Sequence, residues 1–187
     1  PQYNKHSIVN AVEEAEKEGA RLLVTPELSV TGYTCADLFF SSALQSAADE
    51  ALAEIAAATA DKNIAVLLGM PVVFRSSLYN CAVLVQGGKI AGAVPKKHIA
   101  NYNEFYEKRW FASGFDFDSP QDINICGFDV KIGDQIFDLG GGAMLGVELC
   151  EDLWVPLPPS SVLAENGANI IANLSASDEY VSKAQYR

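Results

Sequence analysis

Cys150 closes the apolar run Met144-Leu-Gly-Val-Glu-Leu149 and is crowded by acids, with Glu148, Glu151 and Asp152 all within two residues of it. Negative charge so close opposes formation of a thiolate. A reactive sulfur here needs a base to take its proton and a cation to offset the charge. Two other apolar runs end on such groups: Arg21-Leu-Leu-Val-Thr-Pro-Glu27 delivers a carboxylate, and Ile90-Ala-Gly-Ala-Val-Pro-Lys-Lys97 delivers an amine. If Glu27, Lys96 and Cys150 meet at one edge of a sheet, they can hydrolyse an amide. Glu27 would deprotonate the thiol and later protonate the leaving ammonia. Cys150 would attack the carbonyl carbon and become a thioester. Lys96, with the backbone amide after Cys150, would offset the oxyanion of each tetrahedral intermediate. A second carboxylate is needed to hold the lysine, and Glu107 is the candidate.

The elements that must position these groups can be read from periodicity. Ile8, Ala11, Val12 and Ala15 fall at helical spacing, which predicts a helix over Ser7 to Gly19 capped by Ser7. Arg21 to Val24 reads as a short buried strand halted by Pro26, so Glu27 stands at a strand's end. Thr31-Gly-Tyr33 then turns the chain into a loop with Asp37. An alanine-rich amphipathic pattern predicts a helix over Ser42 to Lys62. Asn63 to Phe74 reads as a buried strand, and Tyr79 to Val85 joins Ile90 to Val94 through Gln86-Gly-Gly-Lys89, a hairpin signal. Lys96 follows directly.

From Asn101 to Phe111, the aromatics Tyr102, Phe105 and Tyr106 predict a short helix over a pocket. A second hairpin is expected from Phe128 to Ile132 and Gln135 to Leu139, turning at Gly133-Asp134. Gly140-Gly-Gly142 lacks the Lys-Ser/Thr of a P-loop and reads as a loose turn. Pro156-Leu-Pro-Pro159 is a loop, Ser160 caps a helix to Glu165, and Ala168 to Leu174 is a further buried strand. Helices alternating with buried strands imply an α/β domain, and the hairpins make its sheet mixed.

Charge narrows the possible partners. Thirteen Lys and Arg against 24 Asp and Glu give a formal net charge of -11, which repels nucleic acid and anionic membrane surfaces. The four cysteines have no CxxC spacing and fit a reducing cytosol, and two histidines are too few for a typical zinc site. Cys35, Cys81 and Cys126 read as structural, and His98 as an orienting or packing residue. Alone, each triad member has a bland counterpart: a packed cysteine, or a solvated surface charge.

The local contexts go further. Pro26-Glu-Leu-Ser-Val-Thr-Gly-Tyr33, Pro95-Lys-Lys-His-Ile-Ala-Asn-Tyr102 and Val147-Glu-Leu-Cys-Glu-Asp-Leu-Trp154 resemble, in order, the glutamate, lysine and cysteine signatures of the nitrilase, or carbon-nitrogen hydrolase, superfamily. Within it the chain is most similar to the glutaminase domains of glutamine-dependent NAD synthetases, from about Tyr3 to Arg187. The resemblance implies an α-β-β-α sandwich with a mixed sheet, incomplete at both ends. It selects Lys96 over Lys97, makes Glu27 the base and Cys150 the nucleophile, and gives Glu107 the supporting role. It also places Tyr33, Tyr102, Glu151, Ser177 and Lys183 around a glutamine substrate.

No cofactor is expected in this domain. ATP and Mg belong to an absent synthetase domain, which would be its partner in a homo-oligomer. Two rivals remain at this level: a stand-alone amidase on another small amide, and a non-catalytic scaffold of the same fold.

Overall fold

A computed structural model describes the chain except for Glu179, Tyr180 and Arg187. The chain opens with helix α1 (Gln2–Lys17), so the first helix starts well before Ser7, which lies inside it and bonds back to the Tyr3 carbonyl instead of capping. Strand β1 (Leu22–Val24) leads to the Glu27 turn, and helix α2 (Ser42–Ala58) follows. Next come β2 (Ala65–Phe74), β3 (Ser77–Gln86) and β4 (Lys89–Pro95), the last two joined by the expected Gly87-Gly88 turn. These strands and the hairpin of β5 (Gln121–Ile125) and β6 (Phe128–Ile132) form a six-stranded sheet in the order β1-β2-β3-β4-β6-β5.

Two expectations change here. Phe128 to Ile132 pairs backward with β5 through Cys126-Gly127, both at positive φ, and not forward across Gly133-Asp134. The chain instead leaves the sheet at Gly133-Asp134 and enters a second, three-stranded sheet of β7 (Phe137–Asp138), β8 (Met144–Leu149) and β9 (Ile170–Leu174). The mixed sheet read from the residues is thus two sheets, each containing parallel and antiparallel pairs. Gly140 to Gly142 is a turn between β7 and β8, as its composition implied. Helix α3 (Pro159–Glu165) begins one residue before Ser160, after Pro158. A final short helix, α4 (Lys183–Tyr186), carries Lys183.

Alternation along β2 and β3 explains the layering. Val66, Leu68, Met70, Cys81 and Val83 face α1 and α2, where Ile8, Val12, Ala51, Leu52 and Ile55 meet them in the larger core. Ala65, Leu67, Ala82 and Leu84 face the other way, against Leu145, Val147, Leu149 and Leu174 of the second sheet. The small α2 side chains let the helix lie close to the sheet. Helix α3 packs on the far side of β8, where a Cβ on Gly146 would meet Leu163 and Ala168. The result is a helix-sheet-sheet-helix sandwich. A smaller cluster of Leu28, Phe39, Leu78 and Phe111 lies beneath the Glu27 turn.

Candidate active site

Four loops converge at one end of the two sheets. Glu27 lies in a turn after β1, fastened to β2 by Thr25 N–H to the Leu67 carbonyl and Val30 N–H to the Gly69 carbonyl, both 3.0 Å. Lys96 follows β4, its backbone N–H on the Asn80 carbonyl at 2.8 Å and its own carbonyl accepting from Gly114 N–H at 2.7 Å. Glu107 opens a 3₁₀ turn, Glu107–Arg109. Cys150 follows β8 at φ 43°, a left-handed conformation uncommon for a residue with a side chain, and starts the 3₁₀ turn Cys150–Trp154. Backbone outliers of this kind concentrate at functional sites.

The side chains meet. Lys96 is fully buried, with Nζ 2.7 Å from Glu27 Oε1 and 2.8 Å from Glu107 Oε1. Asn80 Nδ2 also donates to Glu27 Oε1, at 2.7 Å, and Ala176 N–H donates to Oε2 at 3.2 Å. Ser175 Oγ donates to Cys150 Sγ at 3.3 Å, and the Ala176 amide also faces that sulfur.

Burial pushes the Cys150 thiol above its usual range and the Glu27 charge adds to it, while Lys96, Ser175 and Ala176 pull the other way. Burial alone would drive the Lys96 ammonium down, but Glu27 and Glu107 overcome it and hold the amine above the ordinary lysine range. Glu107 is itself pushed up, by burial first, against the pull of Lys96. At neutral pH the site therefore holds a thiol and a fixed ammonium. A thiol held in this form could attack only by giving up its proton as it did so, which would demand an adjacent base.

The acids beside Cys150 in sequence do not crowd it as their spacing suggests. Asp152 Oδ1 accepts from His98 N–H at 2.7 Å, and its Oδ2 accepts from Leu149 N–H at 3.0 Å, stapling the Lys96 loop to the end of β8. Glu148 Oε2 accepts from Ser160 N–H at 3.0 Å, and its Oε1 from Asn173 Nδ2 at 3.4 Å. Glu151 accepts from Tyr102 OH at 2.6 Å, which pushes the phenol up to about 12. The carboxylate that opposes the thiolate is Glu27, brought from far along the chain.

A cavity of about 340 Å³ opens beside Cys150, lined by Tyr102, Phe105, Glu107, Glu151, Ser177 and Lys183 among others. Four of the five residues named for the substrate thus share one cavity with the nucleophile. Tyr33 stands elsewhere: its hydroxyl donates to Glu107 Oε1 at 2.5 Å, so it braces the supporting carboxylate from behind. The Asn101 to Phe111 segment is not the expected helix. Asn103 takes a positive φ, and Glu107 N–H returns to the Ala100 carbonyl, so the loop turns Glu107 inward to Lys96 and leaves Tyr102 and Tyr106 about half exposed. His98 packs edge-on against Phe115, with ring centroids 5.0 Å apart. Lys97 pairs with Asp134 and Arg109 with Asp37, so each of these cations is matched by an acid. Among the described residues no acid, histidine and cysteine cluster suits a metal ion, and no helix is long and apolar enough to cross a membrane.

Asn80, Ser175 and the stapling role of Asp152 escaped the sequence reading. Asn80 left a trace, as the one polar residue within the apolar run Leu78-Tyr-Asn-Cys-Ala-Val-Leu-Val85.

Fold and site together define a class: two-sheet α/β hydrolases with a buried acid-amine-thiol group. The carbon-nitrogen hydrolase family model matches residues 1–187, and the chain belongs to that family. A glutamine-dependent NAD(+) synthetase of Mycobacterium tuberculosis is 37% identical over 191 residues, covering 100% of this chain and 28% of that protein. The human protein of the same name is 31% identical over 98% of this chain and 27% of its own length. The crystal structure of a glutamine-dependent NAD(+) synthetase from Cytophaga hutchinsonii superposes with a TM-score of 0.85 at 32% identity, over 98% of this chain and 29% of that one. An amidase from Nesterenkonia sp. shares the fold at a TM-score of 0.73 and 23% identity. The chain thus spans a little over a quarter of the length of its synthetase relatives.

Proposed function

We propose that this chain is a glutamine amidohydrolase module that releases ammonia for ATP-dependent amidation of nicotinic acid adenine dinucleotide by a synthetase domain. The observation that carries the chemistry is the buried ammonium of Lys96 held between two carboxylates beside the Cys150 sulfur. Glu27 takes the thiol proton as Sγ bonds to the amide carbon. Lys96 and the backbone amide after Cys150 offset the oxyanion. Glu27 returns the proton to nitrogen, the C–N bond breaks, ammonia leaves and a thioester remains. Water, deprotonated by Glu27, then releases glutamate and restores the thiol.

The choice of glutamine rests on the synthetase relatives that align with the whole chain and on the cavity's charges. Glu151 and Asp178 offer negative charge to an α-ammonium, and Lys183 offers positive charge to an α-carboxylate. Tyr102 and Ser177 add polar groups at the same cavity. This chain's own steps use no cofactor, while ATP and Mg serve the synthetase half in a cytosolic homo-oligomer. The test is ammonia release from glutamine by the full-length protein. Release that is lost in Cys150→Ala is expected, and undiminished release in that variant would refute the reading.

A further inference from the structure

Glu27 presents two oxygens with unequal surroundings. Oε1 already accepts two hydrogen bonds at 2.7 Å, one from Lys96 Nζ and one from the side-chain amide of Asn80. Among the described residues Oε2 accepts only the longer 3.2 Å bond from Ala176 N–H, the same amide that faces the Cys150 sulfur. A proton arriving at Oε1 would have to displace a donor. One arriving at Oε2 would not.

Asn80 is fully buried in β3, on the face that carries Ala82 and Leu84 toward the second sheet. Its Oδ1 is buried with no hydrogen-bond partner among the described residues. Turning the amide over would point Oδ1 at the carboxylate, so Glu27 fixes the amide's orientation even though one oxygen is left unsatisfied. A polar side chain left half-satisfied in a packed strand calls for a role beyond packing.

We propose that Asn80 is a positioning residue that, with Lys96, occupies Oε1 of Glu27 and so leaves Oε2 as the oxygen that accepts and returns the reaction's proton. The thiol S–H bond breaks toward Oε2 as the S–C bond forms, and the same O–H bond later breaks toward the departing nitrogen. Lys96 then stays cationic throughout, because its hydrogen bond goes to the oxygen that never carries the proton. This rests on the amidohydrolase reading given above.

Asn80→Leu removes the donor while keeping the number of side-chain heavy atoms, and Asn80→Ala removes it at smaller size. In the full-length protein, either variant should lower kcat by about 10- to 100-fold with KM within about threefold, because the loss falls on proton transfer and not on substrate contact. Because the loss falls on proton transfer, the solvent deuterium isotope effect on kcat should also rise in both variants. An isotope effect unchanged in either variant overturns the proposal whatever happens to activity, and Asn80→Ala decides the matter should Asn80→Leu fail to fold. The rate of Cys150 alkylation by iodoacetamide at neutral pH, where the thiol must give up its proton to Glu27 as it reacts, gives a reading without substrate and should fall about tenfold in either variant. A wild-type protein that releases no ammonia would therefore sink the amidohydrolase reading while the alkylation rate still judged Asn80.

Discussion

Lys96 is surrounded by carboxylates in a place where water cannot substitute for them. Removing one partner of such a buried pair leaves an uncompensated charge, at a cost of about 3–5 kcal/mol. Lys96→Met should lower the urea midpoint by that order and abolish amide hydrolysis, and a Lys96→Met protein of wild-type stability would show the charges to be better solvated than the geometry implies. The pH dependence has a definite sign. The folded Lys96 amine is raised above its ordinary value of about 10.4, so its contribution is fully present below that pH and is lost as pH climbs through the folded value. The Cys150 thiol is also raised, chiefly by burial, so the unfolded chain ionises first, from about pH 8.5 upward. Both effects lower stability on the alkaline side, measurable as urea midpoints falling between about pH 8 and 11. Lys96→Met should flatten the upper part of that fall. At this scale Glu27, Lys96 and Cys150 were legible as candidates because each follows an apolar run and sits in a signature context. Asn80 and Ser175 were not, since a hydrogen bond between residues dozens of positions apart leaves no periodic mark.

The loops that carry Glu27 and Lys96 are each met by a close backbone approach at a glycine, Gly69 and Gly114. A Cβ at Gly69 of β2 would lie 2.3 Å from Leu28 N and 2.8 Å from the Glu27 backbone carbon, distances no side chain tolerates. Gly69→Ala should therefore displace the Glu27 turn and reduce kcat by roughly 10²-fold or more, the loss that about 1 Å of misplacement brings. A fully active Gly69→Ala enzyme would show that the turn can yield. Asp152 does comparable work between elements, since its carboxylate joins the chain beyond Lys96 to the end of β8. Asp152→Ala orphans both amides, at about 1–3 kcal/mol for the buried Leu149 N–H, and should lower both the thermal midpoint and kcat. At this scale the sequence misled twice. The aromatic spacing of Tyr102, Phe105 and Tyr106 fits a helix, but Glu107 is drawn to Lys96 and the loop follows it. Phe128 to Ile132 was expected to pair forward with Gln135 to Leu139, but the Cys126-Gly127 turn pairs it back with β5.

At the scale of the whole molecule, the two sheets bring the three candidate side chains together, with Glu27 and Lys96 on loops of the six-stranded sheet and Cys150 at the end of a strand in the other. The core between them, built on Leu67, Leu84, Val147 and Leu149, therefore sets the distance between base and sulfur. Leu84→Ala should cost about 2–5 kcal/mol, read from urea unfolding, and depress activity at temperatures where the fold persists. The helix-strand alternation made the α/β class legible, whereas its division into two sheets came only with the family resemblance, because periodicity shows that a strand is buried on both faces but not by what. The central claim is that Cys150 is the nucleophile of a glutamine-binding site with Glu27 as its base. Its most direct test is to treat the full-length protein with a thiol-directed glutamine analogue and map the adduct by peptide mass spectrometry. The account predicts one adduct, on Cys150, suppressed by excess glutamine and lost in Glu27→Gln. Labelling confined to Cys35 or Cys126, or labelling of Cys150 that glutamine does not suppress, would contradict it.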